Sequence, residues 1–157
     1  MPKAYVPSQF RTYCRNPQCY IQHTPKNIEN MAYRLMRYLV SQKLFADSRI
    51  YFKKKDTWYA IQLNEPQTTL NSEKIVHSNG NKSYELWLIK DINPNDYFGW
   101  NGDVLSMSFE GPLYHILNMT EWLDKHSYVR EQLRNFFSTY GLYYELGDAW
   151  NFSVYNV

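Results

Sequence analysis

A chain of 157 residues with 44% hydrophobic and 20% charged positions is long enough to bury a sizeable core in one domain, and this balance excludes a disordered or collagen-like polypeptide. No run approaches the ~18 apolar residues of a membrane span, and Met1–Phe10, interrupted by Pro2 and Pro7, has no apolar signal region, so the expectation is a non-secreted protein without a membrane partner. The net charge of +2 conceals a split: residues 1–55 hold eleven Lys/Arg against Glu29 and Asp47, a net +9, and the remainder carries six basic against thirteen acidic residues, a net −7.

Such asymmetry suits a polyanion-binding surface beside a region that gathers carboxylates, unless the two halves intermix in space and cancel. Aromatics reach 18%, with 15 Tyr, 8 Phe and 5 Trp. Burial of large rings in strands accounts for that richness more simply than a binding surface does.

Residues 1–24 contain Pro2, Pro7 and Pro17, keep no period and carry no acid, and read as an irregular basic arm with Arg11 and Arg15. Thr24 followed by Pro25 opens the first helix, with the threonine as N-cap and the proline where its missing N–H costs nothing. Ile28, Met31, Ala32, Leu35, Met36, Leu39 and Val40 form its core stripe. Tyr33, Arg34, Arg37 and Tyr38 make up the opposite face, either a solvated surface or a grip on a phosphate backbone.

After Ser48 the period becomes two. Arg49–Lys54 and Thr57–Leu63 form a hairpin that turns near Lys55-Asp56, with Ile50, Phe52, Tyr59, Ile61 and Leu63 on its core side. A polar loop over 65–72 leads to a second hairpin, Lys74–His77 and Lys82–Lys90, around Asn79-Gly80. Asp91–Asp103 is a loop dense in Asn, Asp, Pro and Gly, and Val104–Phe109 is a strand. Gly111-Pro112 opens a helix with Leu113, Ile116 and Leu117 inward. A third helix carries Val129, Leu133, Phe136, Phe137 and Tyr140 and ends at Gly141. The last hairpin pairs Leu142–Leu146 with Trp150–Val154. Strands and helices grouped in this way specify a single α+β domain, an antiparallel sheet of hairpins packed by three helices.

Candidate chemistry is sparse. Cys14, Cys19 and His23 supply three soft ligands where a structural zinc needs four, at a spacing that is not a common one, so packing residues are the simpler reading. Glu85 is a lone carboxylate in the strand Tyr84-Glu85-Leu86-Trp87-Leu88-Ile89. It is placed either for a cross-strand ion pair, with Lys74 directly opposite through the Asn79-Gly80 turn, or for work as a base or metal ligand. Asp91, Asp96, Asp103 and Glu110 follow it, with His77 and His115 nearby in sequence. Phosphate-binding glycine loops, deaminase and metalloprotease signatures and a nucleophile elbow are all absent. The order of two helices and a final ribbon also matches a winged helix, although Glu121, Asp124, Glu131, Glu145 and Asp148 in that region would repel DNA.

In size and in its Tyr- and Asn-rich composition, the chain resembles the small proteins of crenarchaeal filamentous viruses, in particular an orphan type of nuclease from an Acidianus filamentous virus. No motif carries the resemblance, and Tyr84-Glu85-Leu86-Trp87 is the stretch onto which that type's glutamate maps. The resemblance implies an α+β fold remotely like a nucleotidyltransferase, a viral protein acting in a host cytoplasm, cleavage of double-stranded DNA, and one essential glutamate, which maps to Glu85. On this reading Glu85 is general base or metal ligand, with His77, Asp91 or Asp96 assisting and Lys90 or Lys74 stabilising charge on the phosphate. Arg11, Arg15, Arg34, Arg37, Arg49, Lys53, Lys54 and Lys55 contact the DNA backbone. Mg²⁺ or Mn²⁺ is the candidate cofactor, and double-stranded DNA the expected partner, with a second copy of the chain as a further candidate. The alternative is a non-catalytic viral protein that binds DNA or a host factor.

Overall fold

The structure is a computed structural model that describes residues 19–68, 70–99, 102–118 and 124–157. Three helices pack on one side of a seven-stranded antiparallel sheet, the α+β domain that the sequence specifies. In chain order these are α1 (Pro25–Ser41), β1 (Ser48–Lys54), β2 (Thr57–Gln62), β3 (Ser72–Asn79), β4 (Lys82–Lys90), β5 (Leu105–Phe109), α2 (Pro112–Asn118), α3 (Asp124–Ser138), β6 (Leu142–Leu146) and β7 (Asn151–Asn156). The strand order across the sheet is β3-β4-β2-β1-β5-β7-β6. No helix among the described residues is long and apolar enough to cross a membrane. Arg11, Arg15 and Cys14, with most of the arm, lie outside the described residues.

Helix α1 starts where the cap predicts: Asn27 N donates to Thr24 Oγ1 at 3.1 Å. Its buried stripe, Met31 to Leu39, meets Ile50 and Phe52 of β1, Ile61 of β2 and Leu86 of β4. Val129, Leu133, Phe136 and Phe137 of α3 complete that core with Phe109 and Phe152. Tyr38, Phe45, Phe52, Phe109, Phe136, Phe137, Tyr140 and Phe152 are buried in this core, so part of the aromatic richness serves burial.

The winged-helix order is not realised as one. The last ribbon is no free wing, because β7 pairs with β5 and carries β6 as the sheet's edge.

The basic–aromatic face of α1 is partly covered: Tyr38 is buried, and Tyr33, Arg34 and Arg37 are half-buried. Tyr38 is 3% exposed. Arg34 Nη1 donates to Tyr140 Oη at 2.7 Å, and Arg37 Nη1 donates to His77 Nε2 at 2.8 Å. Tyr33 stacks on His77 with centroids 4.5 Å apart. The β3–β4 hairpin and the end of α3 close over this face, a tertiary event that helical periodicity does not encode.

Among the described residues, no α-helix covers the other face of the sheet. The connection from β4 to β5 must pass β2 and β1 to reach its place, and it does so across this open face. Ile92 and Phe98 drop into a second apolar cluster with Tyr51, Ala60 and Ile89. At the end of that connection Gly102 lies so close to the Val154 carbonyl that a Cβ has no room.

Candidate functional site

Alternation along β1 divides its side chains between two environments. Ile50 and Phe52 enter the helix-side core, whereas Arg49, Tyr51 and Lys53 belong to the open face. The register then aligns one row across six strands of that face: Lys74, Trp87, Gln62, Arg49, Ser108 and Asn151.

Arg49 is the best-fixed cation of this row. Its Nε donates to Gln62 Oε1 at 2.5 Å and its Nη1 to Tyr51 Oη at 3.2 Å. The guanidinium carbon also lies 5.6 Å from the ring centroids of both Tyr51 and Tyr97. Gln62 is braced in turn, donating from Nε2 to Asn64 O at 2.7 Å, and Asn64 Nδ2 donates to Asp47 Oδ1 at 3.2 Å. Around this network opens a cavity of about 420 Å³ lined by Asp47, Ser48, Arg49, Tyr51, Gln62, Asn64, Gln67, Tyr97, Ser108, Glu110 and Trp150. Among the described residues Arg49 forms no ion pair; the ion pairs there are Lys54–Glu29 at 2.8 Å and Lys74–Glu85 at 3.8 Å.

Glu85 is on the same open face, two residues along β4 from Trp87. Its side chain is 72% exposed. The hairpin turns one residue later than predicted, with Asn79 opposite Lys82 and Gly80 at φ +62 in the loop. A turn moved by one residue moves every cross-strand partner by two, so Glu85 faces Val76, and Lys74 faces Trp87 and reaches Glu85 diagonally. The left-handed position falls on the glycine, the residue that adopts it without strain, and Asn79 remains in the strand.

The other residues singled out in the sequence do not gather at Glu85. His77 is on the helix side of β3 beside Arg37 and Tyr33. Burial, then the Arg37 charge, lowers its pKa below the ordinary histidine value, with Glu29 opposing. Lys90 ends β4, and Asp91 follows at φ +56, roughly 20 Å from Glu85 at ~3.4 Å per residue. Asp96 sits in a single 3-10 turn, Pro94–Asp96, of the crossing connection. Among the described residues no three His, Cys, Asp or Glu side chains group to hold a metal ion. Cys19 is disulfide-bonded and so offers no thiolate to zinc, and His23 Nε2 lies 2.7 Å from Tyr140 O.

The predicted DNA-contacting set is likewise dealt to both sides. Arg49 and Lys53 are on the open face. Lys54 points to the helix side, where it pairs with Glu29 and lies 5.0 Å from the Tyr59 ring centroid, and Lys55 is exposed in the β1–β2 turn at φ +56. Tyr51, Gln62, Tyr97 and Trp150 were not legible as site residues. Period-two alternation puts Tyr51 beside Arg49, but Tyr97 and Trp150 arrive from distant segments.

Comparison with protein-family models, curated proteins and solved structures finds no match to this chain.

Proposed function

We propose that this chain is a nuclease hydrolysing phosphodiester bonds of double-stranded DNA, with Glu85 as general base or as a ligand of Mg²⁺ or Mn²⁺. The remote kinship to nucleotidyltransferases and the viral origin belong to the same reading. The observation that carries it is the position of Glu85: an exposed mid-strand carboxylate on the open face, 3.8 Å from Lys74. Hydrolysis needs a base for the attacking water and positive charge on the phosphate oxygens. Glu85 supplies the first, and Lys74, 3.8 Å away, the second. If a cation is used, Glu85 offers one carboxylate, and substrate oxygens and water complete a hexacoordinate shell. His77, on the other side of the sheet, and Asp91 and Asp96, far along it, have no part in this arrangement.

The test is degradation of supercoiled and linear plasmid DNA by wild type and Glu85→Gln, each with Mg²⁺, Mn²⁺ or EDTA. The expected loss is about 10²–10⁴-fold in rate, the usual contribution of a positioned base. Thermal stability should stay unchanged, because an exposed ion pair contributes ~0–1 kcal/mol. Equal activity in both proteins would remove Glu85 from the mechanism. DNA retarded on a gel but never cut would leave the non-catalytic binder in place of the enzyme.

A further inference from the structure

We propose that the Arg49 cavity is a nucleotide subsite, taking one unpaired nucleotide of the DNA with its phosphate on the Arg49 guanidinium and its base against the Tyr97 ring. The substrate class rests on the nuclease reading, and the subsite adds a second point of recognition separate from Glu85.

The guanidinium is pre-set for an anion. Gln62 and Tyr51 fix its Nε and Nη1 edges, and two rings confine its plane. No hydrogen bond to Nη2 and no ion pair uses up the rest of the fork among the described residues. A planar, immobilised guanidinium binds phosphate with little ordering cost.

The rest of the cavity selects more than a simple anion. Tyr97 is 54% exposed beside the guanidinium, an aromatic surface that a base can cover. Asp47 and Glu110, both water-exposed, are acceptors for the amino and hydroxyl donors of a nucleoside, donors that an inorganic anion lacks. The volume of about 420 Å³ falls within the ~300–1,000 Å³ of small-ligand pockets.

A base stacked within a duplex has both faces covered, so contact with Tyr97 requires an unpaired nucleotide, at an end or swung out of the helix. Glu85 stands two strands over and two residues along, roughly 12 Å away at the backbone from ~4.8 Å strand spacing and ~3.4 Å rise. Trp87 lies between Gln62 of the cavity and Glu85 on this face, so a strand that spans both sites passes over it.

The experiment is isothermal titration of the full chain with dAMP, deoxyadenosine and inorganic phosphate. Saturable binding of dAMP, tighter than of either fragment, is expected. Arg49→Lys and Tyr97→Ala should each weaken it about tenfold, the first by losing the planar fork and the second by losing the stacking surface. The proposal is overturned if dAMP binds no tighter than phosphate, or if both variants bind dAMP like wild type. Should Arg49→Lys fail to fold, Tyr97→Ala carries the test, since its ring is largely outside the core. The assay needs no cleavage. A chain that binds dAMP through these residues but never cuts DNA loses the nuclease reading alone, and one that cuts DNA without binding dAMP loses the subsite alone.

Discussion

The crossing connection from β4 to β5 forms one wall of the cavity, and Phe98 is its anchor, so Phe98→Ala tests how firmly that wall is set. The ring is 5% exposed and meets two others edge to face: Tyr51 with centroids 5.7 Å apart at 75°, and Trp150 with centroids 5.6 Å apart at 88°. Truncating a core phenylalanine costs about 3–5 kcal/mol, of which each aromatic pair accounts for about 0.5–1.5 kcal/mol beyond area. The cluster here is small and sits under a single connection, where relaxation is easier, so the lower end of about 3 kcal/mol applies. For a domain of this size that lowers the melting temperature by roughly 6–12 °C. Urea unfolding should show the same loss as a shifted midpoint with unchanged slope, and Phe98→Leu, which refills most of the space, should lose less than half as much. Because Tyr97 is the adjacent residue, dAMP affinity should fall together with stability. A loss below about 1 kcal/mol would refute the reasoning, for it would mean that the connection is not held to the sheet by this ring.

Three further outcomes follow from single contacts. His77, whose folded pKa lies below the ordinary 6.5 through burial and the Arg37 charge, contributes stability that is complete above 6.5 and is lost as pH falls through the lowered value; urea midpoints taken from neutral pH down to about 5 should drop more steeply in wild type than in His77→Gln. Gly102→Ala places a methyl group against the Val154 carbonyl, a backbone atom that yields only with β7, and should cost about 1–3 kcal/mol in the same assay. Thr24→Ala removes the acceptor for Asn27 N and should cost about 1 kcal/mol, whereas Thr24→Ser should be nearly neutral.

The elements that the sequence makes legible are those with local causes. Thr24-Pro25 begins α1 and Gly141, at φ +70, follows α3, because caps and left-handed positions are properties of a few adjacent residues. Period-two alternation locates β1, β2 and β4, and it sorts Glu85, Trp87 and Ile89 onto one face before any pairing is known. What local causes do not contain is pairing. An Asn-Gly dipeptide permits two turns one residue apart, and the choice of the later one turned a direct Lys74–Glu85 pair into a diagonal one.

The same distinction explains the fate of the charge split. A net +9 over residues 1–55 is a sum along the chain, and it becomes a surface only if those residues point the same way. They do not, because β1 lies inside the sheet between β2 and β5, and an interior strand deals alternate residues to opposite faces: Arg49 and Lys53 to one, Lys54 to the other. Helix α1 then covers the second face with its own Arg34 and Arg37 turned into Tyr140 and His77. Among the described residues of the basic third, the open face of β1 thus receives Arg49, which is braced, and Lys53. A protein that held DNA by a broad basic surface would lose affinity evenly with each lysine removed; under the proposed function and subsite, the loss should instead concentrate at Arg49. Glu85 stands out in the sequence because it is the lone acid of its strand; the cavity around Arg49 does not, because residues near 47, 62, 97, 108 and 150 meet only once the sheet is assembled.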